Sequence, residues 1–534
     1  MADKNISLKR GSLVDGDVAG EEGSGRVQLK TTHEGYVHVP SVCIDGPTTA
    51  FGELRVAELT PQVQLKFPYD MVHSDVASSL TNKSGSSVSA SGGQASVTAA
   101  GVANSFSQIR TKDTIRYGPG QGALFRGTAL FTNGVANCIQ LIGAGDDDEG
   151  YFFYFKELVF GVMRWYGGSL EFRSVEITGA ATGTGNITIT LDDTAVNVAV
   201  TSGDTIAQVT EKIVAEAQAF LDAGNGWEVH TDDNITVNFV SLRAENATGT
   251  FSFSGGSTGV TANAFSLDVT GVAPTEFWTP QTEWNVDKMD GTGPSKMTLD
   301  PIKGNVYAIP FQYLGYGEIG YYIENPATGA FQLVHREQYS NSNTLPSLKN
   351  PTLHCTAMVK TLTGYSGGAI TLKTSSLAGF IEGKETEKGI RRSISSSKTI
   401  GTTENVLLIL HNETIYNSIH NKISVYPDFT SFSSEATKPV ELILYRNPTR
   451  IDGATALTDV DTGSSVMRHS STGTTIAGGE RLLTFELGKE GSGARDLSNL
   501  IEPLRPGDRW VITARVASGS AAIVKVSYTW IERI

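Results

Sequence analysis

The chain has 534 residues and a formal net charge of −14 at pH 7. Only 18% of the residues are charged, and Gly alone occurs 58 times, a balance typical of short strands and turns rather than helices. No basic stripe interleaved with aromatic residues occurs, which argues against nucleic-acid binding. The N-terminus, Met1 to Ser7, lacks the apolar h-region of a signal peptide, and no apolar run approaches ~18 residues. We therefore expect no signal peptide, no membrane insertion and synthesis in a cytosol.

The length is too great for one hydrophobic core, so we expect several domains. The pattern predicts a mainly β, multi-domain chain of β-sandwich or jelly-roll-like type. It also predicts one small inserted α+β module and a C-terminal β-sandwich. We place the boundaries at residues 1–45 (polar N-terminal arm), 46–173 plus 277–383 (central β-sandwich), 174–276 (inserted module), 384–403 (linker) and 404–534 (C-terminal β-sandwich).

The N-terminal arm is polar and rich in Gly and Asp, and such a segment cannot bury enough surface to order itself alone. It is either an arm that packs on a neighbouring subunit or a disordered tail. Glu53–Glu58 and Val63–Phe67 then alternate apolar and polar residues, as strands do. The tract Ser84–Gly93 is either a pair of weak strands, continued by Ala95, Val97 and Ala99, or a flexible linker.

The central β-domain is interrupted. Predicted strands rich in aromatic residues and glycine occur at Tyr151–Phe155 and Phe160–Trp165, and a stretch of different composition follows them. The aromatic, glycine-rich composition resumes at Phe277. Insertions survive where the backbone is exposed, so this pattern predicts that the interrupted loop faces solvent and carries the module as an outer knob.

The inserted module contains a predicted hairpin and the only convincing amphipathic helix. Asn186–Leu191 and Ala195–Val200 alternate around the turn at Asp192-Asp193. Asp204 occupies the expected N-cap position and Gly224 the end. The apolar helix face comprises Ile206, Val209, Ile213, Ala217 and Phe220.

The C-terminal domain is predicted from a series of apolar runs that two packed antiparallel sheets would bury. These runs are Val406–Leu410, Val440–Tyr445, Leu482–Glu486, Trp510–Arg515 and Ala522–Trp530.

The strongest candidate for ligand chemistry is the loop Gly143–Gly150, because it concentrates four consecutive carboxylates, Asp146 to Glu149, between two apolar strands. Oxygen ligands of this kind suit Ca²⁺, although the spacing is not that of an EF-hand. Asp146, Asp148 and Glu149 are therefore candidate cation ligands, and the alternative is a solvated acidic turn. No other cofactor is predicted.

No catalytic residue is predicted. Ser366 lies in a Gly-Tyr-Ser-Gly-Gly pattern, but the strand-like residues that follow it favour a hairpin turn over a nucleophile elbow. No second acidic cluster pairs with the first as glycosidases require. The nine histidines show no metal spacing, and the three distant cysteines predict buried, reduced thiols.

Trp165, Tyr166 and Trp284 are candidates for stacking on a glycan or for a subunit contact. Burial in the sandwich core or at an interface is the favoured alternative for each of them.

Several segments resemble a group of virion structural proteins from tailed phages and related large DNA viruses, of the tail-fibre or receptor-binding kind. The similar segments are Phe51–Glu58 (FGELRVAE), Tyr117–Ala123, Phe131–Ala136, Trp284–Pro294 (WNVDKMDGTGP), Thr298–Pro301 and Ile370–Ser376. The inserted module is similar to small modules of phage appendage proteins, and residues 504–530 are similar to their terminal β-domains.

This resemblance implies a non-enzymatic virion surface protein, a fibre or receptor-binding component that contacts the host envelope. It implies a homo-oligomer, expected to be a trimer, that is attached to other virion proteins through the N-terminal arm. A host surface glycan or protein is the expected partner. The alternative is a capsid-decorating, vertex or neck protein with a purely structural role. A surface-polysaccharide depolymerase is a third hypothesis, which the missing paired carboxylates disfavour.

Overall fold

The structure is a computed structural model that describes residues 27–34, 37–44, 57–385, 389–453, 457–498 and 502–533. Contacts divide the chain into two compact units, Met1–Glu58 and Leu59–Ile534. Within the first unit, Val27–Glu34 and Val37–Ile44 form an antiparallel hairpin. The other residues of the predicted arm, and residues 53–56 of the first predicted strand, lie outside the described residues.

The second unit is mainly β, as predicted, and its paired strands run antiparallel. Its described part contains two short α-helices and two 3₁₀ turns, at Pro68–Asp70 and Gln281–Glu283. Among the described residues, no helix is both long and apolar enough to cross a membrane.

A seven-stranded sheet forms one layer of the central sandwich. In spatial order its strands are Thr275–Pro280, Val159–Tyr166, Gly150–Lys156, Cys138–Gly145, Cys355–Thr361, Phe106–Thr111 and Ala77–Asn82. The insertion separates the first two strands of this order along the chain, and the sheet is complete only once Cys355–Thr361 has joined it.

The opposing layer consists of two smaller sheets. The six-stranded sheet is formed by Phe331–Glu337, Ile319–Glu324, Asn305–Phe311, Ala123–Ala129, Ser376–Glu382 and Leu59–Lys66. The three-stranded sheet is formed by Ile370–Thr374, Gln94–Ala99 and Ser87–Ser91. The tract Ser84–Gly93 therefore supplies a strand and not a linker, and Ala95, Val97 and Ala99 are fully buried.

The aromatic strand Gly150–Lys156 is buried on both faces, which explains its lack of alternation. Tyr151, Phe153 and Phe155 point into the core between the sandwich layers. Phe152 and Tyr154 lie on the opposite face of the same sheet, within a second apolar cluster. A strand with two covered faces reads as a continuous apolar run.

The inserted module contains two sheets and two helices. The larger sheet comprises Trp227–Thr231, Thr236–Ser241, Phe172–Gly179, Thr261–Ala262 and Ser266–Val269. The smaller sheet comprises Thr194–Val200, Gly185–Leu191 and Ser252–Ser254, so the predicted hairpin is confirmed.

The predicted helix begins one residue later than expected and is broken. The helices span Ile206–Ala215 and Ala217–Asp222, separated by Glu216. Thr205 is the N-cap, because its hydroxyl and the Gln208 side chain form a capping box. Asp204 instead accepts a hydrogen bond from Lys212 Nζ at 2.5 Å, so its identification as the N-cap was wrong.

The inserted module does not stand away from the protein as an outer knob. Leu242 belongs to the apolar cluster on the outer face of the seven-stranded sheet, and Leu221 packs against it. The guanidinium of Arg243 donates to the carbonyls of Ser105 and Thr361 at 3.1 and 3.2 Å. The expectation of a solvent-facing loop fails because the module covers a sheet face that would otherwise be apolar and exposed.

The C-terminal domain is a sandwich of two sheets around its own core. One comprises Ile390–Ile400, Ala522–Glu532, Val425–Ser434 and Ser492–Asp496. The other comprises Thr458–Asp459, Met467–Ser470, Asn405–Asn412, Arg509–Val516, Val440–Arg446 and Glu480–Leu487. Two small ladders pair Ile415–Tyr416 with Ile419–His420, and Arg450–Ile451 with Ile476–Ala477.

The stretch predicted as a linker, 384–403, contributes a long strand to this domain. Ile390–Ile400 pairs along its whole length with Ala522–Glu532. Ser393, Ser395, Ser397 and Thr399 are exposed and alternate with half-buried residues, so much of the apparent low complexity is the exposed face of a strand.

Deleting residues 174–272 is expected to make the remaining chain aggregate, because it uncovers Phe152, Met163 and Trp165 on one sheet face. Size-exclusion chromatography and binding of a hydrophobic dye would measure this. The matched control is the same deletion with those three residues changed to Thr, which should recover solubility. A soluble deletion variant with unchanged dye binding would contradict the assignment.

Candidate functional site

The acidic loop Asp146–Glu149 connects two neighbouring strands of the seven-stranded sheet. Gly145 and Gly150 flank it and face each other across the strand pair. A Cβ at Gly145 would lie 2.3 Å from the Glu149 carbonyl oxygen, and one at Gly150 would lie 2.4 Å from that of Ala144. Both glycines are therefore required for the tight approach of the two strands.

All four carboxylates of the loop are buried. Asp146, Asp147, Asp148 and Glu149 are 5%, 2%, 9% and 3% exposed. The interpretation as a solvated acidic turn is wrong, because the inserted module and the C-terminal domain both contribute partners to the loop. Buried carboxylates require ion pairs or hydrogen bonds, and each of the four has its own.

Asp146 is paired within the central sandwich. Its carboxylate forms an ion pair with Arg110 and accepts a hydrogen bond from Gln108 Nε2 at 2.7 Å. Burial alone would raise the pKa of Asp146, but Arg110, His354 and Gln108 hold this pKa well below its usual range.

Asp147 joins the sandwich to the inserted module. Lys360 Nζ lies 2.5 Å from one carboxylate oxygen, and the backbone N–H of Ala244 donates to the other at 2.9 Å. Lys360 also lies 4.8 Å from the centre of the Trp165 ring. Lys360 thus contacts both Asp147 of the acidic loop and Trp165 of the apolar cluster beneath the module.

Asp148 faces the C-terminal domain, and Glu149 is held by backbone amides. Lys422 Nζ approaches Asp148 Oδ2 at 3.5 Å. Glu149 accepts from the N–H groups of Gly167, Lys349 and Asn350 at 2.9–3.0 Å. Burial nevertheless raises the pKa of the Glu149 carboxyl.

The predicted cation ligands Asp146, Asp148 and Glu149 are thus adjacent in sequence but occupied by different partners. The described residues contain no group of three or more His, Cys, Asp or Glu side chains placed to hold a metal ion. The cation loop stays a prediction, and an ion bound at Asp148 would have to displace Lys422.

A cavity of about 520 Å³ lies beside the loop, where the three modules meet. The sandwich contributes Arg110, Lys112, Asp146, Asp148 and His354. The remaining charged or imidazole side chains that line it are Glu228 and His230 from the inserted module, and His420, Lys422, Arg505 and Asp508 from the C-terminal domain. Four carboxylates therefore face four cations, and three imidazoles lie among them.

Two of these imidazoles form hydrogen bonds between modules. His230 Nε2 lies 3.0 Å from the Thr414 hydroxyl, which joins the inserted module to the C-terminal domain. His420 Nε2 lies 3.1 Å from the Leu170 carbonyl oxygen, at the entry to the inserted module. His354 Nδ1 lies 2.7 Å from the Thr111 carbonyl oxygen, within the sandwich.

Burial favours the neutral form of all three imidazoles. It lowers the pKa of His354 to about 4, and nearby Arg110 acts in the same direction. It also lowers the pKa values of His230 and His420, where Asp232 and Asp148 respectively oppose the shift. The spacing of these histidines in the sequence gave no signal, because three separate folding modules bring them together.

The candidate stacking residues lie in two environments. Trp165 and Trp284 are 1% and 2% exposed and belong to the apolar clusters of the sandwich. Neither can stack on a sugar from solvent. Tyr166 is half-buried at the end of its strand, with Lys349 Nζ 6.0 Å from its ring centre, and it remains the candidate contact of the three.

The thiols and the Ser366 turn carry no reactive geometry. Cys138 and Cys355 are buried and free, and burial raises the pKa of Cys138 to about 12 and that of Cys355 as well. Ser366 follows Gly364, whose φ of 89° belongs to a turn, and precedes the strand Ile370–Thr374. The side chain of Cys43 lies outside the described residues.

No family model matches the chain, and no curated protein matches it. Among solved structures, it is similar to an endo-1,3-β-glucanase from Streptomyces sioyaensis at 8% identity and a TM-score of 0.27, over 61% of this chain and 97% of that one. It is similar to a Bacillus licheniformis β-glucanase at 10% identity and a TM-score of 0.23, over 61% of this chain and 99% of that one. It is similar to a chain from an archaeal virus described as having a triple jelly-roll fold and a turret assembly, at 6% identity and a TM-score of 0.16, over 90% and 98%. At these TM-scores the similarities support no argument about function.

Replacing Arg110 with Met is expected to destabilise the protein by about 3–5 kcal/mol, because it leaves the buried Asp146 carboxylate without its cation. Urea unfolding followed by fluorescence would measure this loss. Asp146 has a depressed pKa, so its stabilisation is present above its usual value of 3.8 and is lost as the pH falls below it. The variant should show less of this acid dependence.

The matched control is Arg515→Met, which removes a pair with Glu441 in which the arginine is 51% exposed. Arg515→Met should lower the free energy of unfolding by less than about 1 kcal/mol. The double variant Arg110→Met/Asp146→Asn should recover part of the loss, since it removes both charges. Equal effects of Arg110→Met and Arg515→Met would contradict the role of the loop.

Proposed function

We propose that this chain is a non-enzymatic structural protein of a virus particle, a fibre or receptor-binding component that contacts the host envelope. One observation carries the non-enzymatic part: the carboxylates of the acidic loop, the strongest chemical candidate in the chain, act as internal cross-links. The virion part rests on the resemblance of the segments Phe51–Glu58 and Trp284–Pro294 to tailed-phage structural proteins.

A glycoside hydrolase needs two carboxyl groups that are free to approach the substrate from opposite sides of the bond. Within the described residues around the cavity, Asp146 is engaged by Arg110 and Asp148 by Lys422. Asp508 accepts hydrogen bonds from Asn447 and from the Arg505 backbone. Glu228 alone has a weak partner, Arg110 at 3.9 Å. The described residues around the cavity thus offer one weakly held carboxylate where a glycoside hydrolase needs two, which disfavours the depolymerase hypothesis.

The same contacts suit a particle component that must keep its shape. The inserted module shares an apolar cluster with the sandwich. The C-terminal domain joins them through the Lys422–Asp148 ion pair and the hydrogen bond between Thr414 and His230, so each module stabilises the others. In this proposal the particle carries several copies, expected to be trimers, and weak contacts with a host glycan or protein add up through avidity. The N-terminal arm, residues 1–45, attaches the chain to other virion proteins.

The second candidate is a capsid-decorating, vertex or neck protein, and one feature favours it. The outer face of the C-terminal sheet presents small hydroxyl side chains on three adjacent strands, Ser395 and Ser397, Ser431 and Ser433, and Ser527. The same face also exposes the apolar side chains of Phe429 and Ile523, and this mixture of small hydroxyl and apolar groups suits close packing against another protein surface.

We expect the purified full-length chain to bind cells of the host and to block adsorption of the intact particle. Adsorption assays with increasing protein would measure both effects. A chain that lacks residues 1–45 should still bind cells but should no longer enter particles, as measured by immunoblotting of purified particles. Binding without interference, or no binding at all, favours the decorating role and contradicts the receptor-binding one.

An enzymatic role is tested on the same preparation by release of reducing ends from host surface polysaccharide. We expect none. Release that Asp148→Asn abolishes, with folding unchanged by circular dichroism, would overturn the non-enzymatic proposal.

A further inference from the structure

The cavity where the three modules meet has the size and the place of a ligand site. Its volume is about 520 Å³, and the sandwich, the inserted module and the C-terminal domain all contribute to its wall. Ligand cavities occupy this size range and often lie where domains meet. Two of the lining side chains are accessible from outside, since Lys112 is exposed and the Glu228 side chain is 32% exposed. The cavity is therefore open to solvent on this side.

Polar groups on the wall have hydrogen-bonding capacity that the protein does not use. Ser424 is only 9% exposed, and its hydroxyl has no hydrogen-bond partner among the described residues. Nδ1 of His354 lies 2.7 Å from the Thr111 carbonyl oxygen, and no described residue hydrogen-bonds to Nε2 of the same ring. The Lys422 ammonium has three donors, and its one described hydrogen bond is to Asp148 at 3.5 Å. Because buried polar groups are nearly always hydrogen-bonded, this wall is complementary to a polar occupant.

The charges around the cavity favour a neutral occupant. Four cations and four carboxylates line it. Behind this lining, Asp113 pairs with Arg505 at 2.9 Å, and Arg509 donates to the carbonyl oxygen of Asp232 at 3.4 Å, which adds two carboxylates and one further cation. An anionic ligand would meet this surplus of carboxylates, and a cationic ligand would meet the lysines and arginines. A hydroxyl group both donates and accepts, so a neutral ligand rich in hydroxyls pairs with either kind of side chain.

One part of the wall is apolar. Leu170 and Val240 both line the cavity, and they belong to the same apolar cluster of the inserted module. Ligand cavities combine apolar side chains with a few placed polar groups. A pyranose ring has C–H groups on its faces and hydroxyls around its edge. It therefore matches a wall that is apolar in one part and offers donors and acceptors in the rest.

We infer that this cavity binds a neutral saccharide unit of the host surface glycan, an inference that rests on the receptor-binding function proposed for the chain. The apolar cluster packs against a face of the sugar ring. Ser424, Lys422 and His354 hydrogen-bond to its hydroxyls, and Glu228 accepts from a hydroxyl at the open side. The site binds the sugar and does not cleave it, because the lining carboxylates other than Glu228 have closer partners of their own.

Saturation-transfer difference NMR of the full chain tests the inference, because this method detects weak binding of small ligands. The probes are oligosaccharides cut from the surface polysaccharides of the host and separated into neutral, acidic and basic fractions. We expect saturation transfer to the ring protons of the neutral fraction. No transfer to that fraction, or a stronger transfer to the acidic or the basic one, would overturn the inference.

The variant Glu228→Gln/Ser424→Ala locates the site, because it removes one charge and one hydroxyl from the wall. It should weaken binding of the neutral oligosaccharides at least about tenfold. The matched control Glu441→Gln/Ser254→Ala makes the same changes outside the cavity, at a carboxylate paired with Arg515 and at an exposed serine, and should bind as the wild type does. If the first variant does not fold, Glu228→Gln alone should weaken binding about threefold. Equal binding by a folded cavity variant and the control rejects the site.

Binding of the same proteins to host cells separates this inference from the proposed function. We expect Glu228→Gln/Ser424→Ala to bind cells more weakly than the wild type and the control do. If it binds cells as well as the wild type does, the receptor contact lies elsewhere, so the cavity inference fails and the receptor-binding function stands. If the wild type binds the neutral oligosaccharides in the cavity but does not bind cells, the site stands and the receptor-binding function fails.

Discussion

Four consecutive buried carboxylates impose the main constraint on this fold. A buried carboxylate is unstable unless a cation or several N–H groups compensate it, and the Asp146–Glu149 loop obtains this compensation from every module of the second unit. The sandwich supplies Arg110 and Lys360, the inserted module an amide at Ala244, and the C-terminal domain Lys422. The loop therefore has all of these partners only when all three modules are in place.

Because the acidic loop depends on distant partners, the sequence predicted the local elements of the fold better than it predicted the site. Strand alternation and the hairpin at Gly185–Val200 are local properties, so the mainly β class and these elements followed from periodicity. The one-residue error at the helix start is also local: Asp204 and Thr205 are both good N-caps. Only the reciprocal contact with Gln208 distinguishes them.

The site could not be predicted in the same way, because its properties arise from burial. Four acidic residues between glycines have the same composition whether they lie in solvent or beneath two domains. The cationic partners of the loop are distant in sequence, 36 residues away for Arg110 and 274 for Lys422. The run Tyr151–Phe155 did contain a clue, since a strand without alternation requires cover on both faces. The composition break after residue 173 indicated an insertion but not what the insertion covers.

The two-sided burial of the strand Gly150–Lys156 has a consequence for biosynthesis. The ribosome completes this strand and its neighbour Val159–Tyr166 before it begins the module that covers them, and the module requires about 100 further residues. At a typical elongation rate of about 5–20 residues per second, the nascent chain presents Phe152, Met163 and Trp165 uncovered for several seconds. During that interval neighbouring nascent chains on one messenger can associate through this face, so expression yield depends on slow initiation or on chaperone capture of the emerging sheet.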